Sequence, residues 1–145
     1  MIGTLRTFVR TIGFLLWTFL MVPIYFIAVI LAKIALIPAS VADTFIRVWH
    51  RGVLKVFGVT ISIIGEKSTS TCLFVANHVS YLDIFAIGSH ISGSFIAKKE
   101  VRSWPLLGWL STLQKTIFVD RTSRDITAQV NAIKNPLIHE RSVIL

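Results

Sequence analysis

Residues 12–32, IGFLLWTFLMVPIYFIAVILA, hold no charged side chain over 21 positions. A helix of that length and polarity is long enough to cross a hydrocarbon core, so any fold open to this chain must cover the stretch with lipid or with protein. After Lys33 the apolar character resumes as IALIPASVA, to Ala42. Pro23 and Pro38 are expected to interrupt the helix, because proline lacks the backbone N–H and crowds the preceding turn. Two arrangements compete: a single span, or a bent pair of helices dipping into one leaflet. Arg6 and Arg10 precede the apolar run, and Arg47, Arg51 and Lys55 follow it. With basic residues on both sides the positive-inside rule selects no orientation, and the shallow two-helix arrangement accounts for them better. Trp17, Tyr25 and Trp49 are interfacial anchors or packing residues. Basic residues, an apolar run and PASVA imitate a secretory leader. A leader's apolar core spans only about 7–15 residues, however, so a retained anchor is expected.

The remaining composition agrees with a membrane surface. Hydrophobic residues make up 54% of the 145 and charged residues 15%, against roughly 25% charged in ordinary soluble domains. Fifteen Lys and Arg face seven Asp and Glu, a net charge of +8. A basic and greasy chain suits an anionic lipid surface, whereas nucleic-acid modules are basic and polar, so no nucleic-acid partner is expected. Cys72, the single cysteine, cannot form an internal disulfide and reads as a small core hydrophobe.

Residues 43–57, DTFIRVWHRGVLKVF, place apolar residues at helical spacing with basic ones between, an amphipathic surface helix with His50 at the surface. From Gly58 the period changes. VTISII (59–64), CLFVA (72–76), SFIAK (94–98) and TIFVD (116–120) read as strands. Segments 82–90, 106–114 and 123–134 read as helices. Strands alternating with helices define an α/β fold: N-terminal membrane-associated helices (1–57), then a mixed, largely parallel sheet flanked by helices (58–145).

One polar island interrupts the second strand's exit: LFVANHVSYLDIFAI, with Asn77, His78 and Asp83. Sites in α/β sheets form where strands end and loops leave for helices. Five residues along a continuous helix would put His78 and Asp83 about 140° apart, so they meet only if His78 precedes the helix and the chain bends between them. Strand, polar bend and a helix from about Leu82 supply that geometry. Asp83 then fixes one ring nitrogen and leaves the other as a general base, while Asn77 and Ser80 brace the bend. The bland alternative is that Asp83 only caps a helix. A second island, KTIFVDRTSRD, ends another strand with Lys115, Asp120, Arg121 and Arg124, chemistry suited to holding a phosphate. No serine sits in a nucleophile elbow, IGSHISGS is neither a P-loop nor a dinucleotide fingerprint, and histidines 50, 78, 90 and 139 lack zinc-ligand spacing.

Taken together, NHVSYLD, FIAKKEV with WPLLGW, and KTIFVDR resemble, in order, the first segments of the glycerolipid acyltransferases, most nearly those acting on 1-acylglycerol-3-phosphate. The resemblance covers about residues 40–145. It implies that His78 deprotonates the acceptor hydroxyl, that Asp83 orients His78, and that the hydroxyl attacks an acyl thioester with no acyl-enzyme intermediate. It further implies that Arg121 binds the acceptor phosphate, with Lys98, Lys99 and Asn77 beside the site. No cofactor or metal is implied beyond the co-substrate, an acyl-CoA or acyl carrier protein thioester. The implied product is phosphatidic acid, made at a membrane with the active domain on its cytoplasmic face, the inner membrane in a bacterium. An acceptor such as lyso-ornithine lipid would share the mechanism, and an inactive membrane-binding relic is the non-enzymatic alternative. The family's third motif, a Glu-Gly-Thr turn, and a later proline-containing one are absent. The chain is therefore expected to be the N-terminal part of such an enzyme, with SVIL (142–145) as a possible unpaired sheet edge.

Overall fold

The structure, a computed structural model, describes residues 2–38, 40–122 and 124–145. Two compact units share the chain: Met1–Ile64 with His78–Ser92, and Gly65–Asn77 with Gly93–Leu145.

The first unit is helical. Helix α1 (Ile2–Lys33) runs 32 residues, about 48 Å at 1.5 Å per residue. It is the one helix among the described residues long and apolar enough to cross a membrane. Pro23 lies inside it, so the expected interruption there does not occur. Proline removes a single helical hydrogen bond, and the turns on either side hold the helix together. The helix ends instead at Ala35, in the left-handed region at φ 58°, with Leu36 N–H bonded to the Leu31 carbonyl. Pro38 falls in the connection. Helix α2 (Ser40–Phe57) follows and closes on Gly58 at φ +70°. There Gly58 donates to Lys55 O and Val59 to Leu54 O, the paired bonds that end a helix on a left-handed residue.

Helix α2 packs on α1 through aromatic side chains. Gly52 leaves a notch for the Trp17 indole; a Cβ there would lie 2.1 Å from Trp17 Cε2. Trp17 Nε1 donates to Trp49 O at 2.9 Å, and Trp49 Nε1 donates to Thr18 Oγ1 at 3.1 Å. Trp17 and Trp49 thus serve as packing residues. His50 is 1% exposed, which corrects its expected place at the surface. It stands on the packed side of α2 with Trp49, Val53 and Leu54, where helical spacing groups positions 50, 53 and 54. The short helix α3 (Tyr81–Gly88) completes the unit. The expected strand at 59–64 is absent. The segment carries no regular element, and Ile64 is exposed: β-branched residues favour a pleated, half-buried surface but make a strand only against a partner.

The second unit is α/β. Its four strands are β1 (Leu73–Phe74), β2 (Gly93–Lys98), β3 (Ile117–Val119) and β4 (Ser142–Ile144). They form one sheet in the order β1-β4-β2-β3, parallel throughout. A 3₁₀ turn (Lys99–Ser103) and α4 (Leu107–Leu113) cross from β2 to β3, and α5 (Ile126–Ile138) crosses from β3 to β4. Ser123, the first residue expected in that last helix, lies outside the described residues. Strand β4 corrects the expectation of an unpaired edge: it lies between β1 and β2, with Val143 and Ile144 buried. Val143 and Ile144, with strand partners on both sides, are buried as a central parallel strand requires, while Ser142 is half-buried. Gly93 permits close approach there, since a Cβ would meet Ser142 O at 2.8 Å.

Candidate active site

In the first unit, Ser80 leaves the bend in an extended conformation and caps α3, its Oγ accepting from Leu82 N–H. Asp83, three residues on, turns back. Its Oδ2 accepts from the N–H groups of Ser80 and Val79, both at 2.8 Å. These reciprocal bonds form a capping box, which satisfies N–H groups that a helix start leaves open. The same Oδ2 stands 3.3 Å from His78 Nδ1. Asp83 is therefore both the cap and the histidine's neighbour, so the two readings of this residue are not exclusive.

The electrostatics follow from that geometry. The Ser80 and Val79 N–H groups, with His78 beside them, hold the Asp83 carboxyl below its usual range, because hydrogen bonds to a carboxylate favour its charged form. An ionised Asp83 beside Nδ1 favours the tautomer with its proton there, which leaves Nε2 as the acceptor nitrogen. The imidazole is accessible, its side chain 52% exposed against 34% for Asp83. A separation of 3.3 Å is at the long end for a hydrogen bond.

In the second unit, Lys99 and Asp120 meet at the carboxyl edge of the sheet. Parallel pairing sets Lys98 opposite Val119, so the residue after each strand projects from the same edge. Lys99 Nζ donates to Asp120 Oδ2 at 2.6 Å. Asp120 Oδ1 accepts from the Thr122 N–H at 2.9 Å and from its Oγ1 at 2.6 Å. Lys99 first, then Thr122, hold the Asp120 carboxyl far below its ordinary range, and Asp120 raises Lys99 above its own. Arg121 is exposed within this pinned turn, Lys98 is exposed at the end of β2, and Asn77 is exposed in the loop beyond β1. The sequence identified Asp120 as polar chemistry without a partner; the Lys99 contact, across 21 positions, needed the strand register to appear.

The acyltransferase family model matches residues 60–145. A lyso-ornithine lipid O-acyltransferase of Brucella abortus is 39% identical over 99 residues, 67% of this chain and 37% of that protein. The enzyme of the same name from Rhizobium meliloti is 38% identical over 68% of this chain and 35% of its own length. A 1-acyl-sn-glycerol-3-phosphate acyltransferase of Neisseria meningitidis is 40% identical over 83 residues, 56% of this chain and 32% of that protein. No solved structure matches. The capped His78–Asp83 pair thus stands in a chain that belongs to the acyltransferase family. It spans about a third of the length of the curated relatives it matches.

Proposed function

We propose that this chain carries the general base of a membrane enzyme that moves an acyl group from a thioester to the free hydroxyl of a lysophospholipid. The observation that supports this reading best is Asp83 Oδ2 at 3.3 Å from His78 Nδ1 with the imidazole accessible. His78 Nε2 takes the hydroxyl proton as the oxygen attacks the thioester carbonyl. A C–O bond forms, the C–S bond breaks, and the proton passes from His78 to the departing thiolate. No group on the protein is acylated. Arg121 holds the acceptor's anionic group through its guanidinium. Helix α1 keeps the protein at the membrane where the lysophospholipid acceptor lies, with the catalytic residues on the cytoplasmic side, open to the thioester donor.

The acceptor we favour is 1-acylglycerol-3-phosphate, in keeping with the KTIFVDR segment and the phosphate role its arginine has by resemblance. Lyso-ornithine lipid is the second reading, favoured by relatives of that name matching 67% and 68% of the chain. Purified protein in micelles, given acyl-CoA or acyl carrier protein thioesters, is offered each acceptor in turn. Thiol release that requires 1-acylglycerol-3-phosphate supports the first reading. Release that requires lyso-ornithine lipid moves the acceptor, and release with neither favours the membrane-binding relic.

A further inference from the structure

Helix α3 has eight residues, below the length at which a helix holds its own shape in water. Its first turn presents Asp83, and its other end is gripped by α2. His50 is buried edge-on to Phe85, with ring centroids 5.7 Å apart, and its imidazole fills a notch at Gly88. A Cβ on Gly88 would lie 1.9 Å from both His50 Nδ1 and Cε1. Arg51 Nε donates to the Ser89 carbonyl at 3.1 Å, a cation on the residue that closes the helix. Arg47 donates to Ser92 Oγ just beyond. Gly88 and Ser89 are buried, whereas His78 and Tyr81 at the opposite end are exposed.

We propose that α2 is the positioning element of the His78–Asp83 pair: Arg47, His50 and Arg51 fix the C-terminal end of α3 and so set the orientation in which its first turn offers Asp83 to His78. The inference rests on the reading of His78 as the base. It also gives α1 a part beyond anchorage, because Trp17 seats in the Gly52 notch of α2 as His50 seats in the Gly88 notch of α3. Two side chains thus key three helices in series. A methyl group at Gly88 cannot be absorbed by the His50 ring, which Trp49 and Phe85 flank. It must push α3 away and draw Asp83 with it.

The test follows turnover in the full-length protein together with the ring ¹⁵N signals of His78, assigned by their loss in His78→Ala. Gly88→Ala should lower kcat at least tenfold, leave the KM of both substrates within twofold, and shift the His78 nitrogen signals as the Nδ1 proton loses its partner. Adding His50→Ala to Gly88→Ala should recover most of the loss. Should Gly88→Ala fail to fold, Arg51→Met carries the test: it should lower kcat severalfold and move the same signals, and Arg51→Lys, which still donates to Ser89, should restore both. Unchanged kcat and unchanged His78 signals in the folded variants overturn the proposal. Full turnover by His78→Ala would instead overturn the base assignment, and the His78 signals in the remaining variants would then decide the positioning role alone.

Discussion

The two units make their polar contacts by opposite means. In the first, His78 and Asp83 are five residues apart and meet through a capping box closed within Val79–Asp83. In the second, Lys99 and Asp120 are 21 apart and meet only because β2 and β3 pair in register. The first contact lies within one short segment and needs a helix start, whose far end α2 holds. The second needs a finished sheet. Damage should therefore spread differently: a change in the first acts on chemistry and local order, and a change in the second reports on strand assembly.

The hardest break in that comparison is at His78. His78→Ala should lower acyl transfer more than about a hundredfold, the low end for a positioned general base; half the wild-type rate in a folded protein would sink the assignment. Asp83 separates chemistry from capping. Asp83→Asn keeps an oxygen for the Ser80 and Val79 N–H groups but no carboxylate for His78, so turnover should collapse while the melting temperature falls less than in Asp83→Ala. Asp83→Ala should lose both, and melting curves beside rates distinguish the two variants.

On the other side, Arg121→Ala should cut kcat/KM for the acceptor by about tenfold to a hundredfold, a charge-assisted hydrogen bond being worth about 1.5–3 kcal/mol. Equal effects on donor and acceptor would make Arg121 structural. Ser80→Ala, which removes a cap, should cost about 1 kcal/mol of stability, read as a lower denaturation midpoint with a smaller loss of rate than Asp83→Asn. The smallest effects belong to pH. Asp83 has a folded pKa below its ordinary 3.8, so its contribution is present above that value and disappears as pH falls through the depressed one. Lys99 is raised above 10.5, so its contribution is present below 10.5 and is lost only at still higher pH. Stability should therefore be flat with respect to both groups between pH 5 and 9; a Lys99→Met variant whose loss of stability varies within that range would contradict the assignment.

What could be read from the sequence follows the same division. The bend before Leu82, the His78–Asp83 approach and the amphipathic character of α2 depend on residues within a few turns of each other, and local periodicity carries them. The interior place of His50 does not. A histidine among basic neighbours on an amphipathic helix looks solvated until Gly88 on another helix offers it a notch. Nor does the role of β4: SVIL has the apolar character of any strand, and only topology says it has a neighbour on each side. The run at 59–64 misled for the converse reason, since β-branched residues signal a strand whether or not a partner exists.

Strand β4 also governs the order of assembly. Leu73 pairs with Val143 and Gly93 with Ser142, so two of the sheet's three seams stay open while the ribosome makes the 43 residues between Lys98 and Ser142. Only β2 and β3 can join earlier. The helices of the first unit close over shorter stretches of chain, and their apolar surface is available to a membrane long before β4 emerges. Because distant pairing is slow, a nascent chain held at a membrane by α1, as proposed above, would pass through a state with β1 unpaired. An exposed strand is a template for another chain, and a tether that holds neighbours in one plane raises their local concentration. In such a chain, synthesis speed across α5 would set the interval in which β1 waits for its partner.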